Sequence, residues 1–168
     1  MTDTDTIIDR LKNTVNIRLN HIHGQLIIFS GKPGSGKTTM AEYLFPNQGF
    51  LFSEADLKKH NFSRNIDLDI ITNEHLIIVD EIQYLSEKTL FELLRQVRNR
   101  KKVLLICQDI QDWIDLFDVH FSKSQALIVE FKNLCGNRYD YQILDPEKLV
   151  ANKYDTSHRH FRPSLNAV

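Results

Sequence analysis

Eight consecutive residues, Gly31-Lys32-Pro33-Gly34-Ser35-Gly36-Lys37-Thr38, follow directly on the apolar run Leu26-Ile27-Ile28-Phe29 and match G-x-x-x-x-G-K-[ST] at each defined position. Such a stretch reads as a buried strand, a glycine-rich turn and the start of a helix. Gly31, Gly34 and Gly36 let the backbone turn tightly with N–H groups aimed inward, ready to ring a polyphosphate at the positive end of the following helix. Pro33 and Ser35 complete the loop, and Thr39 opens the helix that carries Met40, Ala41 and Leu44. The pattern implies that Lys37 reaches the β- and γ-phosphates of a nucleoside triphosphate and that Thr38 offers its hydroxyl to the accompanying Mg²⁺.

A second run, Leu76-Ile77-Ile78-Val79, reads as a fully buried strand and ends in Asp80-Glu81. Acids after a strand often only cap it or face solvent. Downstream of a phosphate loop they suit hydrolysis: Asp80 holds the Mg²⁺ through water, and Glu81 polarises a water for attack on the γ-phosphate.

Composition narrows the setting. The 168 residues are 42% hydrophobic and 26% charged, the balance of one globular domain with one core. A net charge of −1 supplies no global field toward nucleic acid or membrane, so any such contact must come from a local patch. Cys107 and Cys135 are far apart and read as buried thiols of a reducing compartment, not as a disulfide or metal framework. No apolar stretch approaches the roughly 20 residues of a membrane span. The acidic, polar start Met1-Thr2-Asp3-Thr4-Asp5 is unlike a secretory signal, and the expected location is the cytoplasm, of its own cell or of a host.

Along the chain, Ile7, Leu11, Val15 and Leu19 recur every four residues and predict an amphipathic helix within residues 1–23, facing either the sheet or a partner. Strands over 25–30, 49–53, 76–80, 103–108 and 126–131 then alternate with helices over 37–45, 86–98 and 110–117, and 138–144 offers an edge strand. This alternation predicts an α/β fold, a mainly parallel five-stranded sheet between two helical layers, over a core of residues 24–144. Residues 54–73 read as a short helix and an irregular approach, and residues 145–168 as a C-terminal extension or tail. His21 with His23, and His158 with His160, lack a cysteine or carboxylate at ligand spacing and read as solvent-exposed.

The helix over 86–98 has Ser86 as cap, Glu87 in its positive first turn, and Leu90, Leu93, Leu94 and Val97 as the face turned to the sheet. Arg95, Arg98, Arg100, Lys101 and Lys102 cluster at its end. Cations favour a helix C-terminus; equally, an arginine there could reach a neighbouring subunit's γ-phosphate, or the cluster could touch a nucleic-acid backbone. The strand Val103-Leu104-Leu105-Ile106-Cys107 ends in Gln108-Asp109. If it neighbours the phosphate-loop strand, the Gln108 amide can bond both a γ-phosphate oxygen and the attacking water, while Asp109 caps the next short helix.

Together, the phosphate loop, the strand ending in Asp80-Glu81, and the run from Leu93-Leu94-Arg95-Gln96-Val97-Arg98 to Gln108 resemble the additional-strand, catalytic-glutamate class of P-loop ATPases. Within it the chain is most similar to the HerA/FtsK group and the zonula occludens toxin-like assembly ATPases of filamentous phages, over residues 24–130. The resemblance implies a RecA-like core, assembly as a homo-oligomeric ring, and ATP hydrolysis with Mg²⁺ coupled to moving DNA or extruding a virion. By it Lys37 and Thr38 bind nucleotide and Mg²⁺, Asp80 orders the metal, Glu81 activates water, Gln108 senses the γ-phosphate, and Arg95 or Arg98 acts in trans. The chain departs from those groups in its shorter length, with no obvious pore loop and no membrane segment.

Two other readings use the same residues. Asp80-Glu81-Ile82-Gln83-Tyr84 followed by a helix and a strand also resembles thymidine kinase, in which the glutamate deprotonates a nucleoside hydroxyl; the loop sequence and the missing paired-cysteine elements speak against it. The third is a nucleotide switch or helicase-loader-like module whose output is contact with a protein partner.

Overall fold

Strands that are apolar at every position must be covered on both faces, because neither face can be left to water without losing about 1.5–3 kcal/mol for each large side chain. The computed structural model of the chain describes residues 3–20, 25–48, 50–51, 76–99, 101–116, 126–132 and 140–151. In it the elements run in the order α1 (Asp3–Leu19), β1 (Leu26–Ser30), α2 (Lys37–Leu44), β2 (Phe50–Leu51), β3 (Leu76–Val79), a 3₁₀ turn (Ile82–Tyr84), α3 (Glu87–Arg98), β4 (Lys102–Cys107), a second 3₁₀ turn (Ile110–Trp113), β5 (Ala126–Lys132) and β6 (Asp140–Leu144).

The strands form one sheet in the order β2-β3-β4-β1-β5-β6. β1 pairs in parallel with β4 on one side, Leu26 opposite Val103, and with β5 on the other, Leu26 opposite Ala126. β3 pairs in parallel with β4 and β2. The five strands expected from the alternation are thus the parallel ones. The edge strand anticipated near 138–144 is β6, which joins antiparallel with Ile128 opposite Leu144.

Alternate residues of the strands divide the core in two. Leu26, Ile28, Ile77, Val79, Val103 and Leu105 pack under Leu90, Leu93, Leu94 and Val97 of α3. Ile27, Phe29, Ile78, Leu104, Ile106 and Val129 pack under Leu11, Val15 and Leu19 of α1 and under Met40, Ala41 and Leu44 of α2. This is a three-layer α/β/α arrangement, as the sequence predicts. Leu11, Val15 and Leu19 of the α1 repeat face the sheet, Leu11 and Val15 almost wholly enclosed, while at its start Ile8 and not Ile7 packs against this core. The helix begins at Asp3, one turn ahead of Ile7, the first apolar position of the repeat.

α3 starts where its cap predicts: Ser86 Oγ accepts from the Thr89 N–H at 3.2 Å, and Glu87 lies in the first turn. In the C-terminal extension, residues 146–151 are helical and Leu149 joins the α3 side of the core. The segment over 54–73, both histidine pairs, Cys135 and the tail beyond 151 lie outside the described residues.

Candidate nucleotide site

The loop after β1 is built on close backbone approaches. A Cβ on Gly31 would come within 2.7 Å of the Phe131 carbonyl oxygen and of Ser35 Oγ, so only glycine lets β1 and β5 stay paired there. Phe131 is fixed in turn by an edge-to-face contact with Phe29, ring centroids 5.0 Å apart. Gly34 and Gly36 have φ of 80° and 89°, left-handed values that a side chain would strain. Gly36 also stands at the N-cap of α2 without a side chain to cap it, and no acid lies in the first turn of that helix. The amides at the start of α2 are therefore met neither by a capping side chain at Gly36 nor by a carboxylate of the first turn. Pro33 and Thr39 are exposed beside them, while Ser35 and Thr38 are half-buried.

Lys37 is buried, and its ammonium turns back over the loop to donate to the carbonyls of Gly31 and Lys32, the latter at 3.0 Å. Burial pushes it below the ordinary lysine value, while the negative charges of Glu81 and Asp80 work against that push. A cation kept from water, ringed by carbonyls and opposed by two carboxylates, is suited to trade those partners for phosphate oxygens.

Asp80, at the carboxyl end of β3, is buried and uses both carboxylate oxygens: Oδ2 accepts from Thr38 Oγ1 at 2.9 Å, and Oδ1 accepts from the Glu81 N–H at 2.8 Å. The hydroxyl and carboxylate expected to share a metal are thus brought together from positions 42 residues apart. Two hard oxygen ligands meeting at the phosphate loop fit Mg²⁺, which takes one or two protein oxygens and completes its shell with phosphate and water. Among the described residues no group of three or more His, Cys, Asp or Glu converges as an all-protein metal cage.

Glu81 has φ 54° and ψ 51°, and it is the only non-glycine residue with positive φ among those described. A glutamate held in the left-handed region is strained by about 1–3 kcal/mol, and such strain clusters where a side chain must be aimed. Its carboxylate accepts from the Gln83 amide.

β4 lies between β1 and β3, so Gln108 follows the strand next to the phosphate loop, the condition on which its expected role depends. The Gly31 N–H donates to the Cys107 carbonyl at 3.3 Å, and the Ile110 N–H donates to Ser30 Oγ at 2.9 Å, which ties the Gln108-Asp109 bend to the end of β1. Gln108 is exposed there, and Asp109 caps the turn by accepting from the Gln111 N–H at 2.9 Å. The Cys107 thiol beneath this bend is enclosed, and burial pushes it up to about 12.

Arg95 is not drawn into this site. Arg95 lies on the outer face of α3, 65% exposed and bound to Glu92 Oε1 at 2.6 Å. The side chain of Arg98 is outside the described residues. Three supporting residues escaped the sequence reading. Ser30 is a buried serine closing an apolar run, a signal open to notice. Phe131 meets Gly31 from 100 residues away, and the Gln83 contact depends on a local backbone turn that pattern alone does not encode.

A phosphate loop after the first core strand, with a further strand between it and the acid-bearing strand, is the RecA-like architecture of P-loop NTPases. No protein-family model and no curated protein matches the chain. Among solved structures, it is similar to C. elegans PCH-2, at 21% identity over 63% of this chain with a TM-score of 0.38. It is also similar to the P-loop NTPase domain of the sigma-54 transport activator from E. coli, at 16% identity over 76% of this chain and 96% of that one, TM-score 0.44. The chain spans 36% of the PCH-2 chain. These likenesses are distant, and it is the sheet order and the loop that define the fold. Among the described residues no helix is long and apolar enough to cross a membrane.

Proposed function

We propose that this protein binds ATP with Mg²⁺ and hydrolyses it in the manner of the additional-strand, catalytic-glutamate P-loop ATPases. The observation that carries this reading is the Thr38–Asp80 hydrogen bond, with Glu81 placed directly beside it. On this reading the amides of Gly34 and of Gly36 to Thr39 and the Lys37 ammonium grip the polyphosphate, Lys37 giving up its bonds to Gly31 and Lys32 as the β- and γ-phosphates arrive. Thr38 and Asp80 hold the Mg²⁺, which supplies positive charge against the phosphate oxygens. Glu81 takes a proton from a water as its oxygen attacks the γ-phosphorus, and the bond to the β-phosphate oxygen breaks to leave ADP and phosphate. Gln108, at the end of the intervening strand, orients that water or the γ-phosphate through its amide.

Residues 24–144 form the catalytic core of this reading. The resemblance to HerA/FtsK and phage assembly ATPases supports coupling to DNA movement or assembly, in a homo-oligomer where Arg95 or Arg98 completes a neighbour's site. The outward placement of Arg95 is compatible with such a role in trans.

The test is an ATPase assay with and without DNA or RNA. Lys37→Ala is expected to weaken ATP binding by at least about a hundredfold, since several charge-assisted bonds are lost together. Glu81→Gln is expected to keep ATP binding while turnover drops by about a hundredfold or more. Full activity in Glu81→Gln removes the mechanism, and indifference to DNA and RNA removes the coupling.

A further inference from the structure

We infer that Gln83 is a positioning residue, whose side-chain amide holds the Glu81 carboxylate toward the phosphate loop. This deepens the hydrolase reading above and rests on it. The bond from Gln83 Nε2 to Glu81 Oε2 joins two side chains across a turn whose backbone is itself fixed. The Tyr84 N–H donates to the Glu81 carbonyl at 3.1 Å and the Leu85 N–H to the Ile82 carbonyl at 3.0 Å, while Ile82 and Leu85 are anchored in the core under α3. Gln83 stands between those anchors and is exposed, so it contributes little to packing.

Glutamate has three rotatable side-chain bonds, and a left-handed backbone alone does not choose among its rotamers. The Gln83 amide makes that choice. Glu81 directly follows Asp80, whose carboxylate accepts from both the Glu81 N–H and Thr38 Oγ1, so the turn that carries it stands against the phosphate loop. One amide bond occupies only part of a carboxylate's accepting capacity, and the remainder is enough to take the proton of a water. A base must lie within hydrogen-bond reach of that proton, and small displacements lose rate out of proportion to their size.

Gln83→Met keeps side-chain length and removes the donor; Gln83→Ala removes both. In the full-length protein, both are expected to lower kcat by about tenfold or more, the scale of a misplaced catalytic group. The Kd for ATP and the melting temperature should match wild type, a split that a merely structural residue would not produce. A Gln83→Met variant with wild-type kcat overturns the inference and leaves the hydrolase reading intact, as does one whose kcat falls only together with ATP affinity and melting temperature. A wild-type protein that binds ATP without turning it over overturns both.

Discussion

Glu81 sets stability against function within one residue. Its φ of 54° favours glycine, and the strain is tolerated because Ile82 and the Asp80–Glu81 hydrogen bond fix the turn from both sides. Glu81→Gly is therefore expected to raise stability by about 1 kcal/mol while abolishing turnover, measured as a higher urea midpoint at unchanged slope beside a steady-state ATPase assay. Cys107 supplies a second prediction at this scale. Its thiol is favoured neutral in the folded protein, so its contribution is fully present below the ordinary value of 9.0 and is lost as pH rises toward about 12. Half-buried Tyr141, shifted up, acts in the same sense, whereas Lys37, shifted down, acts in the opposite one. The comparison must therefore be wild type against Cys107→Ala. The variant is expected to be less stable at neutral pH and to lose less stability across that alkaline window, in denaturant melts at successive pH values; an identical alkaline loss sinks the assignment.

At the level of elements, α3 separates local from tertiary stabilisation. Ser86→Ala removes one cap bond and is expected to cost about 1 kcal/mol, whereas Leu93→Ala leaves a cavity under the sheet and is expected to cost about 2–5 kcal/mol. Chemical denaturation of the two variants checks the ratio; equal losses would mean that α3 is held by its own propensity and not by the sheet. The same contrast explains how far the helices were legible. The Leu90-Leu93-Leu94-Val97 stripe and the Ser86 cap are local, and both read directly from the sequence. The repeat in α1 announced an apolar face but left its partner open, since covering Ile27, Phe29 and Leu104 depends on where α2 leaves room.

Across the whole molecule, the decisive fact is the sheet order β2-β3-β4-β1-β5-β6. It sets β4 between the loop-bearing strand β1 and the acid-bearing strand β3, so Gln108 emerges between their ends at the carboxyl edge where ligands of open α/β sheets bind. A ligand that bridges β1, α2 and β3 stabilises the whole domain by mass action. In the Glu81→Gln variant, ATP with Mg²⁺ at about a hundred times its Kd is expected to add about 2.7 kcal/mol, or roughly 5–10 °C in melting temperature. A thermal-shift series with and without EDTA checks this, and an equal shift without the metal would remove Mg²⁺ from the site.

Whatever is settled within a few residues was legible in the chain: a turn that must carry glycine at 34 and 36, a lysine and a threonine placed to follow it, acids at the end of an apolar run, and strands too apolar to leave either face wet. Local conformation and periodicity act over one strand or one turn, and that is their reach. Which strands adjoin was settled by the packed sheet alone. With that came the meeting of Thr38 with Asp80, the approach of Phe131 to Gly31, and the anchoring of the Gln108 bend by Ser30, because contacts between distant positions depend on the packing of the whole sheet.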